Sequence, residues 1–261
     1  DEVGALVASL DWAEILAPDT PFGDKTFRRK EDAREFPSIL EFGLRGGVRL
    51  PTGLSPAHQI TLLFDRIALP YYNLQQFRDL PIPFACVAVD LRKSETVVLD
   101  SGRLQDALRA TMAIPGVFTP VRMGDRVLVD GGVLNNVPAD VVKEMGADIV
   151  IAVDVGTDLS TEKTSDTLFK VLGETLEVMM RAAVRHALSS ANVVLVPNLK
   201  GLTGRDFGRA GELARRGYAA AEAQRDTLLR YAIGEEEYRA HLAERKARRR
   251  TRVPVPAFLN I

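Results

Sequence analysis

The chain has 261 residues, 46% of them hydrophobic and 26% charged, with 34 Lys+Arg against 35 Asp+Glu for a formal net charge of −1. That balance argues against binding nucleic acid through a basic surface, and the apolar fraction is too high for a disordered chain. No apolar run approaches the roughly 20 residues of a membrane-spanning helix, no signal-peptide pattern opens the chain, and the single Cys86 excludes an internal disulfide or a cysteine-cluster metal site. The first residue is Asp1 rather than Met, so further residues are expected upstream.

In chain order, Val3, Leu6, Val7 and Leu10 fall at helical spacing. Closely spaced Pro and Gly between residues 17 and 53 predict mostly loop. Ser55-Pro56 reads as an N-cap followed by proline at the first helical position, opening a helix to about Leu69. Phe84 to Val89 and Thr96 to Leu99 read as strands, followed by a helix near 103 to 112, a strand at Arg126 to Val129 and a helix from Pro138 to Met145. The strand Asp148 to Val153, a long helix over 164 to 188, the strand Asn192 to Val196 and helices near 208 to 231 and 235 to 247 complete the pattern. Apolar strands alternating with helices predict an α/β fold of three layers, with a mostly parallel central sheet flanked by helices. One domain is expected over 1–245, with 246–261 a basic, Pro-rich linker leading into a following module.

Ligands of such sheets bind outside the carboxyl ends of the strands, which singles out Asp90, Asp100, Asp130 and Asp154. A strand-terminal Asp ordinarily makes a turn or caps a helix. Asp130 differs because Gly131-Gly132 follow at once, and glycine permits both unusual backbone conformations and close approach. A carboxylate is a weak base at neutral pH, so it needs partial burial or a nucleophile within hydrogen-bond reach.

Asp130 to Pro138 resembles the Asp-Gly-Gly block of patatin-like phospholipases, serine acyl hydrolases with a Ser-Asp dyad. Ala110 to Pro120 is similar to the segment preceding that block in bacterial members, and Gly146 to Asp154 to the strand after it. Leu10-Asp11-Trp12, Leu80 to Asp90, Val98 to Gly102 and Arg209 to Tyr218 fit as well, so the resemblance covers roughly residues 1 to 230. It implies that Asp130 orients and deprotonates a serine that attacks a lipid ester carbonyl, with Gly131, Gly132 and Asn135 shaping the site and no cofactor or metal. For Asn135 and its neighbour Asn136, starting the helix after Pro138 is the simpler reading.

The family's oxyanion loop and Gly-x-Ser-x-Gly elbow do not occur in the chain. The nearest approach, Gly53-Leu54-Ser55-Pro56-Ala57, lacks the second glycine and places proline where the elbow needs a backbone N–H. Ser101 in Asp100-Ser101-Gly102 would need a second, paired carboxylate lobe. The missing elements are therefore expected upstream of Asp1, making this an N-terminally truncated hydrolase domain, inactive alone. The alternative is a non-catalytic α/β binding or scaffold domain that keeps the hydrolase framework.

His58, His186 and His241 are widely separated and read as surface or packing residues. The apolar segments Ile114 to Pro120 and Ala68 to Tyr72 read first as core and alternatively as acyl-chain or membrane contacts. Likewise Arg245 to Arg252 reads first as the solvated end of a helix and alternatively as a contact for anionic lipid head groups. The ending from Val253 to Ile261 resembles the junction, in bacterial patatin-like proteins, to a periplasmic module and outer-membrane barrel. Export is the expected localisation on that basis, with the cytoplasm as the alternative, and the expected partner is a phospholipid or other lipid ester.

Overall fold

The computed structural model describes residues 2–15, 53–55, 57–156, 187–202 and 206–253, together with single positions between 23 and 30 and between 175 and 184. In chain order the helices are α1 (Glu2–Ser9), α2 (Trp12–Ile15), α3 (His58–Ala68), α4 (Leu104–Thr111), α5 (Gly132–Asn135), α6 (Ala139–Glu144), α7 (Ala210–Glu222), α8 (Arg225–Leu229) and α9 (Glu235–Arg248). The strands are β1 (Gly53–Ser55), β2 (Cys86–Asp90), β3 (Glu95–Leu99), β4 (Gly116–Phe118), β5 (Val121–Met123), β6 (Arg126–Asp130), β7 (Ile151–Val153) and β8 (Val193–Leu195). They fall into two compact units, one of residues 11–130 and 244–261, the other of residues 1–10 and 131–243.

The first unit is organised by a four-stranded sheet in the order β3-β2-β6-β5. All three of its pairings are antiparallel, in registers that set Cys86 opposite Leu99, Ala88 opposite Asp130 and Met123 opposite Arg126. The α/β class is as expected, but this sheet differs from the mostly parallel one expected, and two of its three pairings are hairpins with short connections. Only residues 91–94 join β2 to β3, and only Gly124-Asp125 join β5 to β6, whereas a parallel crossover needs a dozen residues or more. Gly124 has φ 58 at the first position of its two-residue turn, where a hairpin loop calls for glycine. Parallel pairing is found in the two-stranded sheets β1·β4 and β7·β8.

Helix α4 covers one face of the antiparallel sheet because Leu104, Ala107 and Ala110 recur at helical spacing. Ala107 and Ala110 are fully buried against Phe77, Ala88, Val97, Leu99 and Leu128. The helix end is tied to the sheet by Thr111, whose Oγ1 donates to the Val87 carbonyl at 2.7 Å. A second cluster joins Ala57, Ile60 and Phe118 with Ile15, Phe64 and Met112. Asp11 opens α2 by accepting the Glu14 N–H at 3.1 Å on its side chain.

Ser55 is not a helix cap. It is the last residue of β1, and α3 starts at His58 after Ala57, which takes a left-handed backbone (φ 56, ψ 39) and makes no side-chain cap bond. Proline at 56 disfavours a helical conformation in the residue before it, which keeps Ser55 extended.

In the second unit, Ala139, Val150 and Ala152 pack with Val137, Ala147, Leu188 and Ala191, and α1 lies against α7. Around Glu212 of α7, Arg209 and Arg216 donate at 2.7 and 2.6 Å and hold its carboxyl below the usual range. Arg216 also donates to the carbonyls of Asn198 and Lys200, fastening the loop after β8 to the helix. The helix expected over 208 to 231 is interrupted at residues 223 and 224, between α7 and α8. Of the helix expected over 164 to 188, positions 175, 178, 180, 181, 184, 187 and 188 are helical and the others lie outside the described residues, as do most of the loop over 17 to 53, His186 and residues 254–261.

Two measurements probe this packing. Phe77 is wholly buried, so Phe77→Ala should cost about 3–5 kcal/mol in denaturant unfolding; a loss under about 1 kcal/mol would show that the cluster is not a packed core. Cys86 Sγ lies 3.6 Å from the Ala107 carbonyl, and burial pushes its pKa up to about 11, while a hydrogen bond with Thr111 pulls the other way. An unfolded thiol titrates near about 8.5, so the thiol's contribution to stability is full below that pH and is lost as pH rises towards the folded value. At mildly alkaline pH, iodoacetamide should label the native chain more than about ten-fold more slowly than the denatured chain, and equal rates would contradict the burial.

Candidate active site

The site is built from the end of β6 outward. Leu128 and Val129 are 0% and 1% exposed, on opposite faces of the strand, so β6 is covered on both sides. Asp130 follows them half-buried, its N–H donating to the Ala113 carbonyl at 3.0 Å. The carboxylate thus stands at the carboxyl end of an inner strand, where the sequence places the catalytic candidate.

The segment that receives Asp130 is a shaped turn. In Ile114-Pro115-Gly116-Val117 the Val117 N–H donates to the Ile114 carbonyl at 3.1 Å, and Gly116 has φ 82. Proline followed by a glycine of positive φ is the pattern of a type II turn. The turn feeds β4, which pairs in parallel with β1, so that Ser55 lies opposite Phe118.

Arg109 fixes this segment and was not foreseen from sequence. Its side chain is only 7% exposed, donates from Nη2 to the Thr119 carbonyl and Oγ1 at 3.1 and 3.4 Å, and lies 5.4 Å from the centre of the Phe118 ring. Desolvation lowers its pKa, and its Nη1 is buried with no partner among the described residues. Arg109 falls between Ala107 and Ala110 on α4, off the strict apolar stripe, so periodicity alone marks it as a surface residue.

Gly131 and Gly132 are both buried, but neither has positive φ. Gly131 is in ordinary right-handed helical conformation (φ −63, ψ −26) and leads into α5. Conformational freedom is therefore not what these glycines supply, contrary to one of the two expectations from sequence. Asn135 ends α5 at 8% exposure, with Nδ2 donating to Asp140 Oδ1 at 2.8 Å. That bond spans Pro138 and reaches the first turn of α6, while Asn135 Oδ1 is buried with no partner among the described residues.

The other strand-terminal carboxylates make turns. Asp90, 1% exposed, accepts the Arg92 and Val127 N–H groups on Oδ1 at 3.0 and 3.4 Å. Asp100 accepts the Ser101 hydroxyl, and Asp154 accepts the Gly156 N–H. Asp90, Arg92, Lys93, Asp125 and Arg126 line an open groove at the hairpin turns, at the opposite end of β6 from Asp130. Among the described residues no group of three or more His, Cys, Asp and Glu is placed to hold a metal ion, and no helix is long and apolar enough to cross a membrane.

Residues 3–143, more than half of the chain, match the family model described as patatin-like phospholipase. The chain is 29% identical over 172 residues to rat patatin-like phospholipase domain-containing protein 7, covering 63% of this chain and 12% of that protein. It is 38% identical over 104 residues to the human patatin-like phospholipase domain-containing protein 6 (38% and 8% covered). An uncharacterised NTE family protein of Mycobacterium tuberculosis is 36% identical over 104 residues (40% and 28% covered). The chain therefore spans only a small part of the relatives it matches. The match takes in the turn at Ile114, strand β6, Asp130 and both glycines after it, and the chain belongs to the patatin-like phospholipase family.

Proposed function

We propose that the protein is a lipid acyl hydrolase working through a Ser-Asp dyad, and that Asp130 is its base. The observation that carries this reading is the placement of Asp130: half-buried at the carboxyl end of β6, its backbone pinned to Ala113, and followed by two buried glycines. A general base must lie within hydrogen-bond reach of the proton it takes, and a carboxylate held at a strand end by its own backbone is fixed in place for that. In the reaction the Asp130 carboxylate takes the serine hydroxyl proton as Oγ bonds to the ester carbonyl carbon. Collapse of the tetrahedral intermediate breaks the bond to the alcohol, which leaves with that proton. Water then attacks the acyl-serine carbonyl carbon, giving up a proton to Asp130, and collapse of the second tetrahedral intermediate breaks the acyl–Oγ bond, releasing the fatty acid as serine takes that proton back.

The serine of this reading belongs to an elbow outside these 261 residues. Within them there is no Gly-x-Ser-x-Gly, and Ser55, although it ends a strand shortly before a helix, precedes a proline that has no N–H for an oxyanion.

The same absence of an elbow favours, for these residues taken alone, a framework without turnover. Fluorophosphonate labelling separates the two. A longer protein that contains this chain and an elbow should be labelled, while the 261-residue chain should not; labelling of the chain on Ser55 would overturn the assignment of the nucleophile. In the longer protein Asp130→Asn should lower turnover by at least about a hundred-fold with the melting temperature unchanged. Turnover within about two-fold of the unsubstituted protein would remove Asp130 from the mechanism.

A further inference from the structure

Helix α3 and the turn after it carry a stripe that the core does not use. Ile60 and Ala68 are buried at 3% and 1% exposure and Phe64 packs beside Ile60. On another face Leu62, Arg66, Leu69 and Tyr72 recur at intervals of four, three and three residues, and all four are exposed, Leu62 at 62% and Tyr72 at 51%. Such spacing aligns them along one line of the helix and its 3₁₀ extension, Leu69–Tyr71.

The far end of this line holds the C-terminal basic run, which is 177 to 179 residues away in sequence. The Arg250 N–H donates to the Tyr71 hydroxyl at 3.2 Å, its Nη1 donates to Asn73 Oδ1, and its guanidinium lies 5.9 Å from the centre of the Tyr71 ring. Arg250 is one of six cations, with Arg245, Lys246, Arg248, Arg249 and Arg252, all exposed but the half-buried Arg245. Glu244 pairs with Arg248 at the end of α9, and Asp65 is half-buried beside Arg66. The tether therefore brings a strongly positive segment alongside an exposed apolar stripe within the same compact unit.

We propose that this surface, formed by Leu62, Arg66, Leu69 and Tyr72 with the Arg250-anchored basic run, docks on an anionic lipid surface. Apolar side chains rimmed by Lys and Arg enter the head-group boundary while the cations meet anionic head groups, and the two contributions add only when they share a face. Anchoring Arg250 supplies that condition, which a freely moving basic tail would not. A second copy of the chain is disfavoured as occupant, because pairing this face with itself would bring two like-charged basic runs together. The surface does not depend on the dyad reading, since none of its residues belongs to the site around Asp130.

The test is flotation of the 261-residue chain with phosphatidylcholine vesicles containing about 30 mol% phosphatidylglycerol, against pure phosphatidylcholine. Binding to the anionic vesicles should be several-fold tighter and should weaken with added salt. Arg252→Gln and Lys246→Gln should each lower the partition coefficient by about five-fold. Arg250→Gln should lower it further than either, because it removes both a charge and the tether. Leu62→Ser with Leu69→Ser should weaken binding without changing its salt dependence, and Asp130→Asn should bind as the unsubstituted chain does. Equal partition into neutral and anionic vesicles, or variants that bind like the unsubstituted chain, would overturn the proposal. So would a dimer in light scattering that Leu62→Asp dissociates while vesicle binding is unaffected, since the stripe would then be a contact between copies.

Discussion

Strand β6 has a paired neighbour on each edge, β2 on one side and β5 on the other, and buried side chains on both faces. Side chains alternate between the faces of a strand, so a slip of one residue in its register would drive Leu128 and Val129 each to the wrong side. Register is therefore fixed by hydrophobic burial, and the position of Asp130 along the strand follows from it. The Asp130 N–H adds a second constraint by donating to Ala113 at 3.0 Å. The proposed dyad would gain from this arrangement, because the carboxylate is supported by the sheet rather than by a loop.

The segment that follows Ala113 is held at Phe118 and Thr119 by Arg109. Removing a guanidinium from water costs several kcal/mol unless it is paired, and here it meets a carbonyl, a hydroxyl and the Phe118 ring rather than a carboxylate among the described residues. Desolvation lowers its pKa, the expected electrostatic signature of such a site. The planar fork reaches the Thr119 carbonyl and hydroxyl from one nitrogen while its face lies near Phe118, a combination that lysine cannot reproduce. Through Phe118 and Thr119 the residue fixes β4, and through β4 the parallel partner strand β1.

Much of this architecture is legible in the sequence where the hydrophobic period is strong. Helix α4 starts and stops within a residue of the expected 103 to 112, and β6 ends one residue past the expected Val129. Strand direction was less accessible, because Phe84 to Val89 and Thr96 to Leu99 are apolar in either arrangement. The informative signal was the gap between them, too short for a helical crossover. Strands of three residues, such as β4 and β5, carry too little period to be seen. Ser55 misled because serine before proline is a frequent helix opening, while its pairing with β4 is a contact distant in sequence. Asp130 stands out in the sequence as a strand-terminal carboxylate with two glycines after it, its expected role comes only from the family resemblance, and Arg109 escapes notice since a buried cation off the apolar stripe has no local signature.

The two glycines after Asp130 do not bear out the backbone argument that singles them out in the sequence. Sequence reasoning attaches glycine to backbone conformations that other residues avoid, yet Gly131 sits at φ −63 and ψ −26, where alanine would be at home. In such a helical conformation glycine is disfavoured by about 1 kcal/mol relative to alanine. Its presence twice in succession, at two buried positions, therefore needs a reason other than backbone geometry. Absence of a side chain is what remains, at two successive positions that the packing buries.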